Sequence, residues 1–121
     1  MKYIKDDIWK YHDRHTPIVI TTNGYVKRNG ECVMGRGIAL QCKTRFPEFP
    51  AILGEKIKVF GNHVYFFEGY LLITFPVKHN WWEMADLGLI ALSCEQLLEF
   101  MKKLEDENRN LKRRLGIDET Y

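Results

Sequence analysis

Long apolar runs are missing from this chain of 121 residues, and with them any segment of the roughly 20 apolar residues that a membrane-spanning helix needs. The opening Met-Lys-Tyr-Ile-Lys-Asp-Asp lacks the apolar core of a signal peptide, so a cytoplasmic location is expected, with no membrane partner. Cysteine is scarce. Cys32, Cys42 and Cys94 make three, an odd number with no CxxC spacing, which argues against a disulfide framework and a cysteine zinc site. Reduced thiols, no metal and no cofactor are expected. Excess charge is also lacking: 18 basic against 16 acidic residues leave +2, too little to demand nucleic acid as a partner. The basic cluster Lys112-Arg113-Arg114 reads as a solvated helix face. Repeats and low-complexity linkers are absent, and the length suits one domain with a modest core.

What is present alternates between strand and helix signals. Met1 to Ile8 is read as a short opening strand ended by Asp6-Asp7, and Lys10 to Thr16 as a surface connection. Pro17 to Thr22 is rich in β-branched residues and predicts a strand, broken by Asn23-Gly24. Lys27 to Glu31 reads as a loop tip. Helices are predicted over Arg36 to Phe46 and over Ala51 to Phe60. His63 to Phe67 and Tyr70 to Phe75 form a hairpin around Glu68-Gly69, with Pro76 expected to stop its second strand. Asp86 then caps a long helix whose stripe is Ile90, Cys94, Leu97, Met101 and Leu104. This order predicts an α/β fold, a mixed sheet flanked by helices, with ligands at the carboxyl ends of strands. Asn23 and Lys78 fall just beyond two such ends.

Val33-Met34-Gly35-Arg36-Gly37-Ile38 is the stretch richest in chemical meaning. Two glycines with one residue between them precede a helix, which frees backbone N–H groups and the positive end of the helix dipole for an anion. A turn without function is the plain alternative.

With Asn23 ahead of it, and with Phe75-Pro76-Val77-Lys78-His79-Asn80-Trp81 behind it, the glycine loop resembles the macrodomains. These modules bind ADP-ribose, and some hydrolyse ADP-ribosyl linkages. The chain looks most similar to the lysine-bearing branch, which includes DNA ADP-ribosyl glycohydrolase antitoxins and terminal ADP-ribose glycohydrolases. The resemblance covers residues 1–105, taken as the macrodomain-like domain, and leaves 106–121 as a charged helical extension or tail. It implies that Asp7 accepts a hydrogen bond from the adenine amino group while the Ile8 N–H supports the base; a helix or turn cap is the alternative for Asp7. It implies that Asn23 faces the distal ribose, although Asn-Gly is also a common hairpin pair. Val33, Met34, Gly35, Arg36, Gly37 and Ile38 would then form the phosphate loop, with the Arg36 side chain equally suited to solvent. Lys78 would attack the anomeric carbon or stabilise charge on the leaving group, and a nucleophilic role requires a neutral amine. His79 reads as an exposed or structural imidazole. Trp81 and Trp82 would wall a base or sugar, or pack at the helix start.

The chain departs from that branch in two places. Gly24 to Glu31 adds a polar excursion that reads as a lid or as a surface loop. A further strand, a second glycine-rich loop and its acidic residue are not found, so the expected fold is a three-layer, macrodomain-like mixed sheet shortened at its C-terminal side. Asp118 or Glu119 would replace the acid only if the tail folds back. Open strand edges would favour a homodimer through the sheet edge. The leading expectation is therefore an ADP-ribose-binding macrodomain that removes ADP-ribose from nucleic acid or protein through Lys78. The alternative is a catalytically inactive, macrodomain-derived binding or assembly module. Nucleic acid enters only as a modified substrate.

Overall fold

The computed structural model describes residues 7–116. Met1 to Asp6, which carry most of the predicted opening strand, and Asp118 and Glu119 lie outside them.

The first described element corrects the reading of residues 7 to 16. Ile8–Asp13 is a helix, α1, and the Asp7 carboxylate caps it by accepting from the Trp9 N–H at 3.1 Å. Aspartate is among the best N-cap residues because its side chain takes up an orphan donor of the first turn. Trp9 anchors this helix: it is buried, and its indole N–H donates to Gln41 Oε1 at 2.8 Å.

Strand β1 (Ile18–Asn23) follows as expected, shifted by one residue. Ile18, Ile20 and Thr22 are buried while Val19 and Thr21 are exposed, the period of two that a pleated strand imposes. Two helices come next, α2 (Gly37–Arg45) and α3 (Phe49–Phe60). The expected hairpin is β2 (Tyr65–Phe67) and β3 (Leu72–Lys78), joined through a 3-10 turn at Glu68–Tyr70.

Pro76 does not stop β3, which continues through it to Lys78. The Pro76 carbonyl accepts from Ser93 Oγ at 2.7 Å, and its partner strand β2 ends opposite Thr74. The N–H and C=O of one strand residue point the same way, so the donor that proline lacks falls where no strand pairs.

The sheet order is β1-β3-β2, with β1 parallel to β3 and β2 antiparallel to it. The fold is thus mixed α/β, with a three-stranded mixed sheet and helices packed on it. On one face Ile18, Ile20 and Leu72 join Trp9, Cys42, Phe49 and Leu53 in the core. On the other, Phe66 meets Phe100 of the last helix, α4 (Leu87–Arg114), with ring centroids 5.3 Å apart. The cap of α4 is the expected one, Asp86 accepting from the Leu89 N–H at 3.1 Å. α4 runs unbroken through residue 105 to Arg114, so residues 106–114 take the helical form of the two expected for the C-terminal segment.

The polar excursion of residues 24–31 is anchored rather than free. Val26 bridges Cys32, and the Cys32 N–H donates to the Pro50 carbonyl at 2.9 Å. Its Gly30 carbonyl packs so closely on α3 that a Cβ on Gly54 would lie 1.9 Å from that oxygen. Only glycine allows the two backbones to approach this far.

Candidate functional site

At the carboxyl ends of β1 and β3 lies a cavity of about 750 Å³, within the size range of small-molecule sites. Asn23, Val33, Met34, Gly35, Arg36, Gly37, Ile38 and Lys78 all line it. The glycine loop and the Lys78 segment, some forty residues apart in sequence, therefore meet in one place. Thr21, Thr22, Tyr25, Lys27, Ala39, Lys43, Val77 and Trp81 complete the walls.

The glycine loop is shaped by its backbone. Gly37 holds φ at +55°, a left-handed conformation that costs any residue with a Cβ. Added Cβ atoms on Gly35 or Gly37 would meet nothing within 4 Å, so both glycines border open space. Arg36 is the N-cap of α2 and makes no side-chain cap hydrogen bond. By contrast, carboxylates cap α1 and α4. The first turn of α2 thus borders the cavity with no side chain capping its first N–H groups.

The electrostatics agree with that geometry. Lys27, Arg36, Lys43 and Lys78 all line the cavity, and among the described residues no aspartate or glutamate does. Four cations around a helix N-terminus favour an anion through both charge and hydrogen bonding.

Asn23 is nearly buried and already engaged. Its amide nitrogen donates to the Val33 carbonyl at 2.9 Å, and its Oδ1 accepts from the Tyr25 N–H at 3.0 Å. It therefore ties the end of β1 to the residue that opens the glycine loop. The amide keeps one N–H and further acceptor capacity for a guest. Lys78 is half-buried at the end of β3, and its Nζ donates to the Trp81 carbonyl at 2.9 Å. Trp81 lines the cavity. Trp82 packs edge-on against both Trp81 and Tyr25, with centroids at 5.6 and 5.4 Å. His79 is exposed and does not line the cavity.

Asp7 and Ile8 are not brought into this cavity. Asp7 borders a separate, shallower groove with Trp9, Leu40, Gln41, Thr44 and Arg45. α2 stands between the two, since Ala39 and Lys43 face the cavity and Leu40 and Thr44 face the groove. The cap reading of Asp7 is the one its hydrogen bond supports.

Tyr25, Lys27 and Lys43 were not among the expected site residues, although a lid over the ligand was one reading of the excursion that carries the first two. Lys43 was findable, because it follows Arg36 by seven residues and Ala39 by four, on one face of a helix. Lys27 and Tyr25 reach the cavity through the fold of the excursion, and no local pattern singles out those two side chains within it.

The thiols stand apart from this chemistry. Cys32, Cys42 and Cys94 are all free, the first two buried and the third exposed. Burial pushes the Cys32 and Cys42 thiols up to about 12, which leaves them inert at neutral pH. Among the described residues no group of three or more histidine, cysteine, aspartate or glutamate side chains is placed to hold a metal ion. Nor is any described helix long and apolar enough to cross a membrane.

No family model, curated protein or solved structure matches this chain.

Proposed function

We propose that the cavity binds ADP-ribose, with the diphosphate on the Gly35–Ile38 loop and the distal ribose toward Asn23 and Lys78. The observation that carries this reading is the convergence of an uncapped helix N-terminus and four basic side chains on one ligand-sized cavity that no carboxylate lines among the described residues. A diphosphate satisfies such a surface better than a neutral ligand does. The Asn23 amide offers the donor and acceptor that a sugar diol needs. Trp81 and Tyr25 supply aromatic wall for the flatter parts of the ligand.

Binding, not turnover, is the activity these residues support best. Hydrolysis in the lysine-bearing macrodomains pairs the lysine with an acidic residue, and among the described residues none lines the cavity. The Lys78 ammonium is moreover engaged with the Trp81 carbonyl. Hydrolysis through Lys78 stands as the second reading, favoured by the position of that amine at the cavity wall. The adenine is assigned no partner, because α2 separates the cavity from Asp7.

Calorimetric titration with ADP-ribose tests the first reading. A saturable heat that weakens with added salt is expected; its absence at millimolar ligand would end the proposal. For the second, release of ADP-ribose from a modified oligonucleotide or protein should vanish in Lys78→Ala, and equal release by both proteins would remove the lysine from the chemistry.

A further inference from the structure

Among the described residues nothing covers α4 from Met101 to Leu111. Every residue from 101 to 111 is exposed, including Met101 at 53%, Leu104 at 45% and Leu111 at 54%, and Leu115 beyond them is 65% exposed. A helix projecting this far from its body is marginal in water on propensity alone. Its apolar residues are not scattered. Ile90, Cys94, Leu97, Met101, Leu104, Asn108, Leu111 and Leu115 follow one another at alternating steps of four and three. That is a heptad repeat with leucine at three successive d positions, 97, 104 and 111, and with Cys94, Met101, Asn108 and Leu115 at a.

The residues that dock α4 on the body lie on a neighbouring face. Leu89, Ser93, Gln96 and Phe100 each stand one place before the stripe, about 100° around the helix. Of these, Ser93 bonds the Pro76 carbonyl, Gln96 the Val64 N–H, and Phe100 stacks on Phe66. Ile90 and Leu97 are half-buried beside that face, and from Met101 onward the stripe is left turned away from the sheet.

We infer that this stripe is the seam of a parallel two-stranded coiled coil between two copies of this chain. Two features select that occupant. Asn108 is the polar residue in the seam, and only parallel pairing in register places it against its own equivalent, amide to amide. Antiparallel pairing sets it against a leucine, with its hydrogen bonds unmet. The flanks agree: Glu107 at g faces Lys112 at e of the other helix, twice by symmetry, with opposite charges. This surface is separate from the sheet edges and from the ligand cavity, and it stands whether or not ADP-ribose binds.

Sedimentation equilibrium of the full chain from micromolar to millimolar concentration tests the inference. A reversible monomer–dimer equilibrium is expected. Glu107→Lys and Lys112→Glu should each raise the dissociation constant about tenfold by turning two attractive pairs repulsive. The double variant Glu107→Lys/Lys112→Glu should restore it. Leu104→Glu/Leu111→Glu should be monomeric throughout with unchanged tryptophan fluorescence, since neither leucine belongs to the core. A wild type that stays monomeric, a dimer that survives the leucine pair, or an assembly larger than a dimer overturns the inference. A double charge variant weaker than both single ones does so too, because it identifies an antiparallel pairing in which Glu107 faces Arg114.

Discussion

Asn23 stands opposite Lys78 at the point where the parallel ladder of β1 and β3 slips. Thr22 pairs with Pro76, and the next pair is Asn23 with Lys78, so Val77 is an extra residue on β3. A bulge of this kind re-aims side chains at a strand end, and here Val77 and Lys78 both line the cavity. The same slip lets Gly24 donate to the carbonyls of Lys78 and His79, at 3.2 and 3.1 Å. Backbone irregularity is thus what brings the amide and the amine to one cavity wall.

Asn23 is predicted to be more important to the fold than to the guest. Asn23→Ala removes both the bond to the Val33 carbonyl and the acceptor of the Tyr25 N–H. In a nearly buried position this should cost about 1–3 kcal/mol, read from urea midpoints. Asn23→Asp keeps the acceptor for Tyr25 but sets a carboxylate oxygen against the Val33 carbonyl in a nearly buried position, so it should be destabilised at neutral pH as well. Equal stability of wild type and Asn23→Ala would refute the tying role.

The two loop glycines separate backbone strain from ligand approach. Gly37→Ala should lose about 1–2 kcal/mol, because alanine resists the positive φ there even though its methyl meets open space. At Gly35 the backbone is not left-handed and the space is also open, so Gly35→Ala should leave the melting temperature nearly unchanged. Its methyl should still hold a diphosphate off the loop and weaken ADP-ribose binding about tenfold, as measured by calorimetry. Unaltered affinity in Gly35→Ala would remove the loop from the binding site.

How far these features were legible in the sequence depended on how local their causes were. The β-branched run Ile18 to Thr22, the hairpin around Glu68-Gly69 and the Asp86 cap each announce themselves within a few residues, and each is present. The glycine loop and Lys78 are equally local signals, and the fold joins them. Asp7 was ambiguous because a carboxylate suits a strand end, a base contact or a helix cap, and the burial of Trp9, a tertiary event, decides for the cap. Pro76 misled because the penalty for proline depends on which side of the strand its missing donor faces. For Lys27 and Tyr25 the sequence left a lid and a surface loop open, since packing of the excursion against α3 decides which side chains reach the cavity.

That packing makes Gly54 a sensitive position. Alanine there would drive a methyl into the Gly30 carbonyl at 1.9 Å, so the excursion or the helix must move. Gly54→Ala should cost about 1–3 kcal/mol in thermal or urea unfolding. It should also weaken ligand binding without touching the cavity, because Tyr25 and Lys27 line it from the excursion. A variant that binds normally would show that the excursion contributes nothing to the site.

Alkaline pH should expose the two buried thiols as a source of stability. In the folded chain burial raises Cys32 and Cys42 from their ordinary 9.0 to about 12. For Cys42 the negative Glu48 adds to the effect. Between those values the folded state keeps protons that the unfolded chain releases, so stability must fall as pH rises. The contribution is complete below 9.0 and is lost progressively toward 12. Tyr65 and Tyr70, also shifted upward by burial, act in the same sense once pH passes their ordinary 10.0. From about pH 8 to about pH 10 the two thiols together should remove about 2–3 kcal/mol of unfolding free energy. Urea titrations at both pH values measure this loss, and Cys32→Ala and Cys42→Ala should each remove about half of the slope whatever they do to stability at neutral pH. Over the same range a thiol reagent should label Cys94 promptly and reach the other two cysteines only as the protein unfolds. Prompt labelling of all three would mean that the core around Cys32 and Cys42 is open to solvent.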